Sequence, residues 1–381
     1  MKFLIVGAGF SGAVIARELA NSLDAKILVI EKRDHIAGNC YTERDNETGV
    51  MVHKYGAHIF HTSSIEVWKY VQKFSEFRQF INRPKASISS GIYSLPINLH
   101  TINQFFSKKL NPEQARKFIE SKADHSIIEP QNFEEQALKF MGRELYEAFF
   151  YGYTKKQWGC DPKELPASIL KRIPIRFNYN DNYYNSIYQG IPVDGYTEIV
   201  RKILSHDNIE VKLSTPWEFS MVDEFDHVFF TGPIDAFYNF QYGRLAYRTV
   251  YWERSVHVGD FQGHPGINYP ELDVPYTRMR EHKHYTPWER HEKTVVFTEY
   301  SKETGLIDEP YYPKRLVVDK DRLEKYRSVA ETEERTSFLG RLATYRYMDM
   351  HQVIGEALEF GRKWSEAYIQ RSWRPVFPEG A

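Results

Sequence analysis

Two cysteines, Cys40 and Cys160, are all that 381 residues contain. That is too few for a disulfide framework, and it points to a reducing, cytoplasmic compartment. No apolar run is long enough to span a bilayer, so no membrane insertion is expected. Neither sign of charge is in excess. Lys and Arg number 50 against 51 Asp and Glu, a net charge of −1, which marks neither nucleic acid nor an anionic membrane as the main partner. Internal repeats and low-complexity segments are missing too. There is no His-Glu-x-x-His, and the histidines at 53, 58 and 61 and at 282, 284 and 291 lack the carboxylate pattern of a zinc enzyme, so no metal is expected.

What is present begins at residue 2. Lys2-Phe-Leu-Ile-Val is an apolar run of strand length, and it leads into Gly7-Ala-Gly9-Phe10-Ser11-Gly12. A helix-like segment and a second strand follow, and that strand ends on Glu31, about 20 residues past the glycines. This strand, turn, helix, strand order is that of a dinucleotide site. Gly7 permits the tight turn, Gly9 lets the backbone approach a pyrophosphate, and Gly12 lets helix and strand pack closely. The helix N-terminus offers free N–H groups to the phosphates, and Glu31 would accept hydrogen bonds from a ribose. A signal peptide is a poor reading of the same start, because glycines and then Arg17 and Glu18 break the apolar run. The motif occurs once, so no second dinucleotide such as NAD(P)H is encoded in this form.

Further along, residues 64–78 place Ile65, Trp68, Val71 and Phe74 at helical spacing after Ser64, a candidate N-cap. Residues 86–94 read as extended and lead to Leu95-Pro96. Asn111-Pro112 opens a helix with Pro at its first position. Asn132 and Glu135 open another, with Ala137, Phe140, Met141, Leu145 and Phe149 as its apolar stripe. Residues 151–159 show little regular pattern. Pro162, Pro166 and Pro174 then punctuate a long basic loop, and such loops in compact proteins are usually functional. Helix 197–204 and strands 209–213 and 227–230 restore the nucleotide-binding pattern. Residues 247–300 read as extended segments separated by Pro and Gly. A helix over 322–330 follows, then a strand over 336–341. Asp349 starts a helix to about 370, and 371–381 reads as a loose tail. The chain also carries 26 Tyr, 25 Phe and 7 Trp, enough to stack a base and hydrogen-bond phosphates or sugars.

Several stretches together resemble a known family. Gly7–Gly12 with Glu31-Lys32-Arg33 and Gly38-Asn39 looks like the FAD-binding start of the glutathione-reductase-like flavoproteins. His53–Thr62, Gly152–Gly159, Leu165-Pro-Ala, Lys171–Phe177, Tyr276-Thr-Arg278, Glu309–Pro313 and Gly340–Met350 resemble the bacterial UDP-galactopyranose mutases, in that family's order, across about residues 2–365. The implied fold is α/β: a discontinuous Rossmann-like FAD-binding domain (1–80, 188–245, 315–370) with a helical insert domain carrying a mobile substrate loop (98–187) and an antiparallel β-sheet domain (81–97, 246–314). The tail is 371–381.

The resemblance implies FAD, active when reduced, in a reaction without net redox change. Its N5 attacks the anomeric carbon of UDP-galactopyranose, UDP leaves, the sugar ring opens and recloses as a furanose, and UDP returns. For the cofactor it implies Gly7, Gly9, Phe10, Ser11, Gly12, Glu31, Lys32, Arg33, Gly38, Asn39, His58, Ile59, Arg341, Tyr347, Asp349 and Met350. His58 would hydrogen-bond near N5, and the helix starting at Asp349 would stabilise the flavin anion. For the substrate it implies Asn82, Gln104, Phe149, Phe150, Tyr153, Thr154, Trp158, Tyr183, Asn268, Tyr312 and Tyr347. Tyr153 would stack the uracil, and the later tyrosines would hydrogen-bond the phosphates. Arg172 and Arg278, counted with His58 as catalytic, would clamp the diphosphate with planar forks. Glu299 and Asp349 are the nearest candidates for acid–base carboxylates. The resemblance also implies a homodimer. An amine-oxidase-like flavin oxidoreductase shares the opening motif but would need no diphosphate clamp. A non-catalytic nucleotide-sugar binder and a mutase that also accepts UDP-N-acetylgalactosamine stay open.

Overall fold

The computed structural model describes residues 1–172 and 175–381, and the side chains at 171, 172, 317 and 318 lie outside the description. The apolar stretches read as strands form one parallel sheet. Its order is Ile209–Lys212, Lys26–Ile30, Lys2–Val6, His227–Phe230 and Thr336–Phe338, all running the same way. Parallel strands need helical crossovers on both faces, so the central strands Lys26–Ile30, Lys2–Val6 and His227–Phe230 are largely apolar runs, whereas the edge strand Ile209–Lys212 alternates. The strand order reverses beside Lys2–Val6, which puts the topological switch point, and with it the ligand crevice, at the C-terminal end of that strand. One face is covered by the helices Phe10–Ser22, Gly195–Leu204 and Met350–Ile369. Trp364, fully buried, packs edge-on against Phe3 at 5.3 Å.

This sheet draws strands from three separated parts of the chain, so the Rossmann-like domain is discontinuous. One insert is helical: Leu99–Phe105, Pro112–Lys122 and Phe133–Tyr146 share a core with Tyr93 and Ile97. The caps read from sequence form there. Asn111 makes a capping box with Gln114, and Asn132 accepts the Glu135 N–H. The other insert is a seven-stranded sheet, antiparallel except where Gly266–Asn268 pairs parallel to Lys85–Ile88. A smaller sheet joins Phe60–Thr62, Tyr188–Pro192 and Phe77–Gln79.

Five local expectations need correction. The helix over 64–78 ends at Gln72, because Phe77–Gln79 pairs with the open edge of Tyr188–Pro192. Phe140 leaves the apolar stripe and is 44% exposed. Residues 147–158 are a π-turn, Glu147–Tyr151, running into a helix, Gly152–Trp158. The helix buries Gly152, Thr154 and Gln157, a face without hydrophobic periodicity. The strand expected over 336–341 stops at Phe338, since Gly340 (φ +82°) turns the chain into the helix Gly340–Ala343. The tail is not loose: Val376 is buried, its carbonyl accepts the Phe338 N–H at 2.7 Å, and Phe377 stacks on Phe338. Two apolar residues cover the otherwise open edge of the last strand.

Burial also makes the fold sensitive to acid. His227 and His282 are 2% and 0% exposed, and burial pushes the pKa of each down to about 3. The unfolded chain binds these protons below about pH 6.5, while the folded chain refuses them until about pH 3. Stability is therefore full above pH 6.5 and falls as pH drops, by roughly 3 kcal/mol per histidine at pH 4. The thermal midpoint is expected to fall from pH 7 to pH 4.5, and less so in His227→Phe. An unchanged pH dependence in that variant contradicts the assignment.

Candidate functional site

At the switch point the glycines are constrained as the motif requires. Gly7 has φ +104°, and a Cβ there would lie 2.3 Å from Thr231 Oγ1. Gly9 caps the first helix, and its backbone faces Gly38 with nothing but that Cα, at 3.9 Å, near a would-be side chain. Phe10 and Ser11 are buried beneath the turn. Glu31 is buried and already accepts the N–H groups of Ala8 (2.9 Å) and Arg33 (3.1 Å), so it also holds the glycine loop in shape. Gly38 and Asn39 lie in a short 3₁₀ turn entered through Ala37 and Gly38, both at positive φ.

Two cations border this loop. Arg33 lies over Tyr55, donates to Asn39 and Glu309 (2.9 and 3.0 Å), and keeps its buried Nη1 without a partner. Lys32 is more exposed and pairs with Glu309 at 2.8 Å. Arg341 sits against Tyr312 and Tyr347, whose rings stack at 6.0 Å, and its buried Nε and Nη2 have no partner. Buried guanidinium nitrogens left unsatisfied are costly unless an anion completes them. The glycine turn, the open Gly9–Gly38 approach and these nitrogens therefore fit a phosphate-bearing dinucleotide.

Asn39 and His58 face the same cavity as Arg278, Glu299, Tyr312 and Arg341. His58 lies 2.7 Å through Nδ1 from the Gly56 carbonyl, while its backbone N–H reaches His53 Nδ1. Burial lowers the His58 pKa to about 4, against the Gly56 carbonyl, which favours the cation. The ring is therefore neutral at neutral pH: Nδ1–H donates to Gly56, and Nε2 is left as an acceptor. Ile59, buried, fixes the loop behind it. Asp349 caps the helix Met350–Ile369 in a capping box with Gln352, and one carboxylate oxygen lies 3.8 Å from His61 Nε2. The histidines do not group as the sequence spacing suggests. His53 stacks with His282, whereas His61 lies against Tyr184 and beside Asp349 and His351.

On the far wall, Arg278 and Glu299 are cross-strand partners in the register of Arg278–Glu281 and Lys293–Glu303. Their Nε and Oε1 are 2.7 Å apart, with Glu299 4% exposed. Burial is the largest single influence and opposes the charge on Arg278, but Glu299 together with Tyr153, Tyr312 and Tyr347 raises the pKa above the usual guanidinium value. The guanidinium lies 5.8 Å from the Tyr153 ring, and its Nη2 is 3.4 Å from Gln157 Oε1. Asn268 is the partner of Arg278 on the other side.

The other predicted residues separate into groups. Thr154 and Trp158 lie on the Tyr153 helix. Phe149 and Phe150 are 4% and 7% exposed in the helical core, where Phe149 contacts Tyr93 and Phe105, so packing occupies them. Gln104 is exposed and donates to the Ile92 carbonyl. Asn82 accepts the Tyr183 N–H through its carbonyl, which ties two substrate candidates together. The side chain of Arg172 lies outside the described residues. Sequence reasoning left Gln157, Glu309 and Lys156 out of the site and gave Glu299 no partner. Only strand register could have paired Glu299 with Arg278.

A Rossmann-like sheet with a dinucleotide turn beside Gly38-Asn39, and a cationic, tyrosine-rich wall sharing a cavity with Asn39 and His58, define a nucleotide-dependent enzyme with two inserted domains. The sequence profile of the UDP-galactopyranose mutase family matches residues 148–347, and that of an NAD(P)-binding Rossmann-like domain matches 5–74. A Klebsiella pneumoniae protein described as a probable UDP-galactopyranose mutase is 52% identical, over 99% of this chain and 98% of its own. The dTDP-fucopyranose mutase of Escherichia coli is 51% identical, over 94% and 97%. Reduced UDP-galactopyranose mutase superposes with a TM-score of 0.75 at 15% identity (99% of each chain), and a putrescine oxidase variant with 0.59 at 11% (95% and 98%). The chain belongs to the UDP-galactopyranose mutase family and is an isomerase. Among the described residues, no helix is long and apolar enough to cross a membrane.

Proposed function

We propose that the protein interconverts UDP-galactopyranose and UDP-galactofuranose on FAD held in its reduced form. The observation that carries this reading is a shared cavity: His58 and Asn39, from the dinucleotide side, face the same space as the Arg278–Glu299 pair. Reduced FAD, when bound, supplies the nucleophile at N5. Arg33 and Arg341 would hold the cofactor's phosphates and ribityl chain. Neutral His58 would offer Nε2 as a hydrogen-bond acceptor to an N–H at the redox end. The helix at Asp349 would direct its N–H groups toward developing negative charge. Arg278, fixed by Glu299, would present the rest of its fork to the diphosphate, and Tyr312 and Tyr347 would add neutral donors. The cysteine and charge content supports a cytoplasmic location, and the family resemblance supports a homodimer.

The test is conversion of UDP-galactopyranose by purified protein before and after dithionite reduction, followed by chromatography. Turnover is expected only after reduction. Equal turnover with oxidised flavin, or none in either state, refutes the reading. The Escherichia coli relative gives specific support to a second substrate, a dTDP-linked 6-deoxyhexopyranose, so both nucleotide sugars belong in the same assay. The higher kcat/KM assigns the substrate. In Arg172→Ala, turnover is expected to fall by roughly a hundredfold or more while the flavin stays bound, since this arginine is assigned to the diphosphate and not to the cofactor. Flavin loss would reassign it.

A further inference from the structure

Lys156 lies on the Gly152–Trp158 helix but serves the loop opposite. Its ammonium donates to four backbone carbonyls, those of Tyr269, Glu271 and Val274 at 2.7 Å and that of Tyr276 at 2.9 Å. An ammonium has three protons, so four acceptors at these lengths surround it as a solvation shell made of protein. The loop is suited to this. Pro270 and Pro275 have no N–H to offer, and the turn leaves its carbonyls pointing inward. Burial pulls the Lys156 pKa down to about 8, and Asp273 and Glu271 oppose that pull. The helix and loop also touch directly, because a Cβ on Gly152 would lie 2.3 Å from the Pro270 carbonyl oxygen.

Both ends of this clamp lead into the candidate site. The last caged carbonyl, Tyr276, is two residues before Arg278. On the helix, Gln157 follows Lys156 and reaches Arg278, and Tyr153, one turn back, faces the same guanidinium. A second buried cation holds the helix from behind: Arg248, 3% exposed, donates to the carbonyls of Lys156 and Gln157. Apolar packing would let the helix slide by fractions of an ångström. A point charge in a carbonyl cage fixes both the separation and the register.

We propose that Lys156 is a positioning residue whose caged ammonium sets the distance between the Tyr153 helix and the loop ending on Arg278, and thereby the width of the nucleotide cleft. This rests on the reading of that cleft as the nucleotide-sugar site. Wild-type turnover of UDP-galactopyranose is therefore measured first, and its absence counts against that reading alone. UDP binding by titration calorimetry then tests Lys156 in either case.

In Lys156→Ala, the KM (or the Kd for UDP) is expected to rise about tenfold or more, with kcat changed much less and flavin content unchanged. n-Propylammonium, which can refill the cage, is expected to restore affinity saturably. Tetramethylammonium, which has no N–H, is expected to fail. Unchanged affinity in folded Lys156→Ala overturns the proposal, as does a loss that n-propylammonium does not reverse. Should Lys156→Ala not fold, Lys156→Arg decides. Its planar fork keeps the charge but does not match the cage, so a wild-type KM in that variant overturns the proposal and a raised KM with flavin retained supports it.

Discussion

Gly12→Ala is expected to yield protein that carries no flavin and has no measurable turnover. A Cβ at position 12 would lie 1.9 Å from the Gly7 carbonyl oxygen and 3.1 Å from both Gly7 C and Ile5 Cγ2. The obstacle is backbone, which cannot rotate aside, so the first helix must move off the Lys2–Val6 strand or the turn must open. Either shift displaces the Gly7–Gly9 segment against which a pyrophosphate would lie. The strain exceeds ordinary overpacking of about 1–3 kcal/mol, because no flexible side chain absorbs it. Gly9→Ala is the informative control. Its nearest neighbour is Gly38 Cα at 3.9 Å, so the chain folds, yet the methyl would stand in the space where the turn is read to meet a pyrophosphate. It is expected to retain its thermal midpoint while losing flavin affinity. Flavin absorbance at wild-type stoichiometry in purified Gly12→Ala would contradict the assignment of this turn to the cofactor.

That motif was legible because its physics is local. Gly7 and Gly12 fail to tolerate a side chain for reasons set within the turn and one neighbouring strand, and Gly9 sits between them with its space open toward Gly38. The same holds for the Asn111 and Asn132 caps and for Asp349, where side chain and backbone amide are three positions apart. The helix Gly152–Trp158 was not legible, because its buried face is Gly152, Thr154 and Gln157, which periodicity cannot distinguish from a loop. The packed tail was hidden for a related reason. Val376 and Phe377 are a short apolar pair, and what makes them core is the exposed edge of a strand 38 residues earlier. In the candidate site the resemblance supplied single residues but not their coupling. Arg278 could be named from Tyr276-Thr-Arg278. Its buried counterion, Glu299, follows only from the antiparallel register, and the Lys156 cage only from the path of a proline-bounded loop.

The coupling matters most for Arg278. Arg278→Ala is expected to lower kcat/KM by roughly a thousandfold, about 4 kcal/mol, the scale of a lost charge-assisted clamp on a group that gains charge in the transition state. Part of any measured loss is structural, since removing Arg278 leaves the Glu299 carboxylate buried and unpaired, at a cost of about 3–5 kcal/mol in stability. Two further variants separate the contributions. Arg278→Lys keeps a cation near Glu299 but loses the fork, so the folded protein should recover stability and flavin content while turnover stays low. The double variant Arg278→Ala/Glu299→Gln removes the orphaned charge, so the thermal midpoint should rise above that of Arg278→Ala without recovery of kcat/KM. If the double variant regains activity along with stability, Arg278 acts only by neutralising Glu299. If both remain separable, Glu299 orients the guanidinium and Arg278 acts on the substrate.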